Sequence, residues 1–176
     1  KSELAACVQQ NIATGKKAPG LAVILVGDDP ASTVYVRNKR EACEQVGIRS
    51  IYHHLSADIS QIELETLIQK LNADSSVHGI LVQLPLPPQI DAENVLECID
   101  PFKDVDGFHP INVGNMMLNI PGFVPATPAG IVELMRRYNI ETSGKNCVIV
   151  GRSNIVGTPL SLLLGKNTDP GNCTVT

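Results

Sequence analysis

Apolar residues gather along this chain in two patterns. Short unbroken runs occupy residues 20–27, GLAVILVG, and 77–84, VHGILVQL, each bounded by glycine or proline. Runs of this kind predict strands buried on both faces of a parallel sheet. Weaker alternation over residues 49–55 predicts a third strand lying between them in sequence. Helical spacing marks the segments around them: residues 1–14, then Pro30–Val46, then 60–72 through Ile62, Leu64, Leu67, Ile68 and Leu71. Ser60 with Glu63 three positions on is a capping box that marks where the last of these starts. For Pro30–Val46 the boundaries are just as clear. Asp28 and Asp29 can cap its free N–H groups, Pro30 suits its first turn, and Gly47 follows its end.

Strand, helix, strand, helix, strand makes an α/β unit, and in open α/β sheets ligands gather beyond the carboxyl ends of the strands. The loop before the Pro30 helix and Gln83 at the end of the 77–84 run both arrive at that edge. Further on, helices are expected over 91–99, 113–118 and 129–138, the last ending in Arg136 and Arg137, which suit the negative end of a helix dipole. A buried strand at 147–150 leads through Gly151–Gly157 into a helix at 158–164, and residues 174–176 begin another strand. Two strands and a helix leave an apolar edge open. The expected organisation is therefore a catalytic α/β domain over residues 1–125, followed over 126–176 by the first part of a second domain whose remainder lies outside this chain.

Composition narrows the class. In 176 residues with 43% hydrophobic content and a net charge of −4, there is enough apolar material for one good core and part of a second. No basic block exceeds Lys16-Lys17 and Arg37-x-Lys39-Arg40, Trp is absent, and Phe and Tyr are scarce, which argues against a nucleic-acid partner. Five cysteines without ligand spacing read as reduced thiols of a cytoplasmic protein, with the mitochondrial matrix as the alternative setting. There is no run of membrane-spanning length and no secretory signal, and the chain starts in mid-pattern at Lys1, so a native N-terminus is expected to be missing.

Candidate chemistry starts on the Pro30 helix. Tyr35 and Lys39 stand four residues apart on one face, with Cys43 continuing the row, while Val34, Asn38, Ala42 and Val46 form a neighbouring, mostly apolar row suited to a core. An amine bordering a buried stripe loses part of its hydration and suits proton transfer. The other reading is a surface lysine near Glu41 or Glu44. Gln83 can hold such an amine because its amide both donates and accepts, or it can simply cap a strand end. Asp104 and Asp106 in KDVDG lack the companions of a calcium loop. They fit an Asp-Gly turn or, for Asp106, a carboxylate paired with adjacent N–H donors of a ligand. His53 and His54 point to opposite faces of a strand, and His78 and His109 have no partner at ligand spacing, so no metal is expected. Gly151–Gly157 is either a phosphate-holding turn at a helix start, with Arg152 available to an adenosine-ribose phosphate, or a purely structural turn.

Five stretches together carry a resemblance: Ser32-x-x-Tyr35-Val36-x-x-Lys39, GILVQLPLP at 79–87, KDVDG at 103–107, Pro125-x-Thr127-Pro128-x-Gly130, and Gly151-Arg152-Ser153-x-x-Val156-Gly157-x-Pro159. In that order they resemble the methylenetetrahydrofolate dehydrogenase/cyclohydrolase family. The resemblance implies a folate-binding α/β domain followed by a Rossmann-like NAD(P)-binding domain. It implies oxidation of 5,10-methylene-tetrahydrofolate with NADP, NAD being the alternative cofactor, then hydrolysis of the methenyl product to 10-formyl-tetrahydrofolate. It makes Lys39 the central catalytic group, Gln83 its partner and Tyr35 a ring packed on the aminobenzoyl group. Leu84, Pro85, Val105 and Asp106 would line the folate, with Asp106 on the pterin. Gly151, Arg152, Ser153, Val156, Gly157 and Pro159 would hold the cofactor. Homodimers are common in the family. A dehydrogenase without the hydrolase, and a non-catalytic folate-binding fragment, are the alternatives. The family often has Cys where Ala126 stands, and residues 165–172 form a longer, more polar link than is usual.

Overall fold

A computed structural model describes all residues, Lys1–Thr176. They form two compact units, Lys1–Asp104 and Val105–Thr176.

In the first unit the apolar runs become a parallel sheet. Its strands are β1 (Gly20–Val26), β2 (Arg49–Leu55) and β3 (Gly79–Val82), in the order β2-β1-β3. β1 is central, with Val23 opposite Tyr52 on one side and Leu81 on the other. Its side chains alternate between two helical layers. Ala22, Ile24 and Val26 join Ile80 and Val82 under α3 (Gln61–Ala73) and α4 (Ala92–Glu97), whose Leu64, Ile68, Leu71 and Val95 complete that core. Val23 and Leu25 face the other way, toward the layer of α1 (Ser2–Ala13) and α2 (Pro30–Val46). The architecture is the α/β arrangement expected, built in three layers. The Ser60–Glu63 capping box at the start of α3 is present in both directions.

The apolar row expected on α2 differs. Its buried residues are Ser32, Val36, Cys43 and Val46, whereas Val34 is 45% exposed and Asn38 also faces outward. Steps of four residues drift by about 40° each around a helix of 3.6 residues per turn, so the row from Val34 starts in solvent and reaches the sheet only at Val46. The alternating steps of four and three from Ser32 stay on it. Ile62 on α3 is likewise solvent-facing.

The second unit contains α5 (Pro110–Leu118), α6 (Ala126–Arg137), β4 (Asn146–Cys147), α7 (Gly157–Gly165) and β5 (Thr174–Val175). β4 and β5 pair in parallel. α6 begins three residues earlier than the apolar pattern suggests, because Pro128 fits a first helical turn, where a missing N–H costs nothing. β4 is shorter than the 147–150 run. A strand is only as long as its ladder, and beyond Cys147 the pairing reduces to the Ile149 N–H donating to the Thr176 carbonyl at 2.8 Å, with Val148 and Val150 exposed. No helix is long and apolar enough to cross a membrane.

Candidate active site

The turn from β1 into α2 sets the direction of the helix. Gly27 takes φ +76°, a left-handed backbone that glycine adopts without strain. Asp29 then accepts a hydrogen bond from the Ser32 N–H at 2.7 Å, and Gly47 closes the helix at φ +81°. That Ser32 N–H bond is the main reason the Asp29 carboxyl is held below the usual carboxylate range. Lys39 lies three residues after Val36 and four before Cys43, so its stem runs along the buried stripe while its amine reaches the edge of the sheet. Tyr35, one turn earlier, presents its ring to solvent at 61% exposure. The row from Tyr35 through Lys39 thus passes from solvent into the core at Cys43. Burial, and secondarily Glu44, push the Cys43 thiol up, which suits a small core residue and not a nucleophile.

Gln83 is the first residue beyond β3, and its N–H still donates to the Ile24 carbonyl of β1 at 2.9 Å. Its amide has both ends occupied. Lys39 Nζ donates to Gln83 Oε1 at 3.0 Å, and Gln83 Nε2 donates to the Leu84 carbonyl at 2.7 Å. The carbonyl can only accept, so it takes the NH₂ end and leaves Oε1 to the amine. Ser32, 2% exposed, places its hydroxyl 3.5 Å from the same Leu84 carbonyl. The early helix and the third strand therefore meet at one polar cluster made of Lys39, Gln83, Leu84 and Ser32, with Pro85 the next residue along.

Sequence reasoning gave no role to the support around this cluster. Arg40, beside Lys39, places its guanidinium carbon 4.5 Å from the Tyr52 ring centroid, and Tyr52 stacks on His54 with centroids 6.0 Å apart. His54 Nε2 in turn lies 3.0 Å from the Gly27 carbonyl and 3.1 Å from an Asp28 carboxylate oxygen. The middle of α2 and the turn before it are thereby fastened to β2. Only the alternation of β2, which puts Tyr52 and His54 on one face, signals this in the sequence.

Val105 and Asp106 open the second unit, both half-buried. The glycine turn lies further along it. Gly151 takes φ +145°, and a Cβ on Gly157 would run into the Gly151 carbonyl, so the turn folds its own backbone against the start of α7. The Ser153 hydroxyl accepts from the Val156 N–H at 3.2 Å, while Arg152 and Ser153 stay exposed. Val156, the residue just before α7, offers no side-chain cap. Exposed backbone, a helix start without a side-chain cap and an arginine are the parts a phosphate-bearing dinucleotide needs. Val156 is half-buried and Pro159 buried, which makes them the packed base of the turn.

A parallel sheet with polar groups gathered past its strand ends, followed by a glycine turn at a helix start, is the plan of a ligand-binding α/β enzyme fold. The family model of the tetrahydrofolate dehydrogenase/cyclohydrolase catalytic domain matches residues 1–106, and that of its NAD(P)-binding domain matches 125–176. The chain belongs to the tetrahydrofolate dehydrogenase/cyclohydrolase family. It is 63% identical over 160 residues to the bifunctional protein FolD of Maridesulfovibrio salexigens, covering 91% of this chain and 56% of that protein. To the FolD of Porphyromonas gingivalis it is 52% identical over 176 residues, covering all of this chain and 60% of that one. The crystal structure of the bifunctional FolD enzyme of Campylobacter jejuni superposes with a TM-score of 0.93 at 50% identity, over 99% of this chain and 61% of that one. The Trypanosoma brucei methylenetetrahydrofolate dehydrogenase-cyclohydrolase, complexed with NADP cofactor and inhibitor, gives a TM-score of 0.92 at 36% identity, over 99% and 59%. This chain thus spans roughly three fifths of the length of these relatives.

Proposed function

We propose that the protein of which this chain forms part oxidises 5,10-methylene-tetrahydrofolate with NADP and hydrolyses the methenyl product to 10-formyl-tetrahydrofolate. The observation that carries this reading is the 3.0 Å hydrogen bond from Lys39 Nζ to Gln83 Oε1 beyond the end of β3. Hydrolysis needs a water to add to the methenyl carbon, a proton to leave that water, and the carbon's bond to N5 to break with N5 taking up a proton, so the site needs a group that can hold and release a proton while staying in place. Lys39 serves because Gln83 accepts an N–H from the amine in either protonation state, so the nitrogen keeps its position through the transfer. A carboxylate at Gln83 would instead bias the amine toward its charged form. In this reading Tyr35 lays its exposed ring on the aminobenzoyl group, Leu84, Pro85 and Val105 pack along the folate, and Asp106 accepts from the pterin N–H edge.

When bound, NADP supplies the hydride acceptor for the first step. Gly151, Arg152, Ser153, Val156, Gly157 and Pro159 hold it, the backbone and helix start taking the phosphates and Arg152 the additional ribose phosphate. A division of labour between residues 1–125 and 126–176 goes with this reading, as do assembly as a homodimer and a cytoplasmic setting.

Two structural neighbours favour a second reading, without the hydrolase. The silkworm protein, at TM-score 0.94 and 45% identity, and the Saccharomyces cerevisiae protein, at 0.80 and 25%, are both described as dehydrogenases, the latter NAD-dependent. The Lys39–Gln83 pair supports both activities, since hydride transfer alone calls for orientation and not for a positioned amine. The test is to supply full-length protein with methylene-tetrahydrofolate and each nicotinamide cofactor in turn, following reduced nicotinamide and methenyl-tetrahydrofolate separately. Bifunctional protein consumes the methenyl product as it forms. A monofunctional dehydrogenase lets it accumulate, with decay no faster than in buffer.

A further inference from the structure

The lysine of KDVDG plays no part in the reading above, yet it is among the most heavily bonded side chains in the first unit. α3 ends at Ala73, so its last carbonyls have no partner within the helix. Lys103 Nζ donates to three carbonyls there: Leu71 at 3.0 Å, Asn72 at 2.6 Å and Asp74 at 2.9 Å. A cation at the negative end of the helix dipole is favourably placed. The same turn is tied down from other directions. Asn72 donates to the Cys98 carbonyl at 2.8 Å and accepts from the Asp100 N–H at 2.9 Å. The Lys103 and Asp104 N–H groups both donate to the Asp100 carbonyl, at 2.7 and 3.0 Å. The Ile80 N–H of β3 donates to the Lys103 carbonyl at 2.7 Å, and Asp104, 1% exposed, bridges to Ile80.

Four residues on, Gly107 supplies a second anchor. It takes φ +68°, and a Cβ built on it would lie 2.9 Å from the Pro125 nitrogen and the Val124 carbonyl carbon and 3.0 Å from the Phe123 oxygen. No L side chain fits there without moving backbone. Asp106 lies between these anchors, within about 7 Å of the Cα of Asp104 by chain length alone.

We propose that Lys103 and Gly107 are positioning residues for Asp106. Lys103 fixes the segment at the end of α3, Gly107 fixes it against residues 123–125, and together they preset the carboxylate for the N–H edge of a pterin. The inference rests on the reading of Asp106 as the pterin-binding carboxylate. A preset carboxylate binds without the cost of ordering its loop, so loosening either anchor weakens folate binding and leaves chemistry at saturation alone.

The experiment is calorimetric titration of full-length protein with tetrahydrofolate, for the parent, Lys103→Met, Gly107→Ala, Asp106→Asn and the Lys103→Met/Asp106→Asn double variant, with steady-state kinetics beside it. Lys103→Met and Gly107→Ala are expected each to raise Kd and the KM for folate about ten-fold, with kcat and the KM for NADP unchanged. Lys103→Met is expected to cost little further binding once Asp106 is Asn, because residues acting as one unit are not additive. A merely structural lysine would lower the melting temperature and the active fraction, reducing kcat with the KM for folate unmoved, and that result overturns the inference. So do additive losses in the double variant. Asp106→Asn binding tetrahydrofolate as tightly as the parent overturns the assignment of Asp106, and the inference falls with it. Should Gly107→Ala fail to fold, Lys103→Met and the double variant decide the question alone.

Discussion

Replacing Gln83 by Met keeps the side-chain length and removes both polar ends of the amide. The variant deletes the acceptor 3.0 Å from Lys39 Nζ and the donor 2.7 Å from the Leu84 carbonyl. A hydrogen bond involving a charged partner contributes about 1.5–3 kcal/mol net, and Gln83 is only half-buried, so about 1–2 kcal/mol of positioning is at stake. If that bond aims the amine in the transition state, each ~1.4 kcal/mol is about ten-fold in rate, and cyclohydrolase kcat should fall about 5- to 30-fold. Hydride transfer depends on the alignment of two bound ligands, so dehydrogenase kcat should change less than about three-fold. Both are read on full-length protein, one from the disappearance of methenyl-tetrahydrofolate and the other from the appearance of reduced nicotinamide. The reasoning is refuted by cyclohydrolase turnover within about two-fold of the parent, or by parallel loss of both activities with a lowered melting temperature.

Further expectations follow from the same geometry. Leu64→Ala, at a position with no exposure beneath the sheet, should cost about 2–5 kcal/mol in denaturant unfolding and leave the KM of the surviving fraction intact. Gly157→Ala drives a methyl into the Gly151 carbonyl and should abolish NADP binding in a titration while tetrahydrofolate still binds. Acid should destabilise the protein through its caps. Asp29, Glu63 and Asp74 are each held low in the folded chain by hydrogen bonds, from Ser32, Ser60 and Ser76 respectively. Their folded values lie below their unfolded ones, so their stabilisation is complete above the unfolded value near pH 4 and is lost as pH falls through the folded one. Melting temperature measured from pH 7 downward should therefore drop in that window, and Glu63→Gln should flatten the drop.

How much of this was legible beforehand depends on the kind of signal. α2 was readable to the residue because Asp29, Pro30 and Gly47 each act locally, and local chemistry is written in the sequence. Its buried face was misread for the converse reason. Ser32 is small and polar yet buried, while Val34 is apolar yet exposed, and only the sheet it packs on decides between them. Gln83 stood out as the one polar residue ending an apolar run, but nothing local says that its Oε1 faces an amine 44 positions earlier. Lys103 carried even less signal, since its three acceptors lie about thirty residues upstream at a helix end. The short ladder of β4 was hidden as well, because strand length is a property of the partner and not of the apolar run itself.

Whether Lys39 moves the proton in methenyl hydrolysis is decided by single-turnover hydrolysis of methenyl-tetrahydrofolate with Lys39→Met in full-length protein. The variant is expected to bind tetrahydrofolate and to turn methenyl-tetrahydrofolate over no faster than buffer does. Hydrolysis at the parental rate would contradict that role for Lys39.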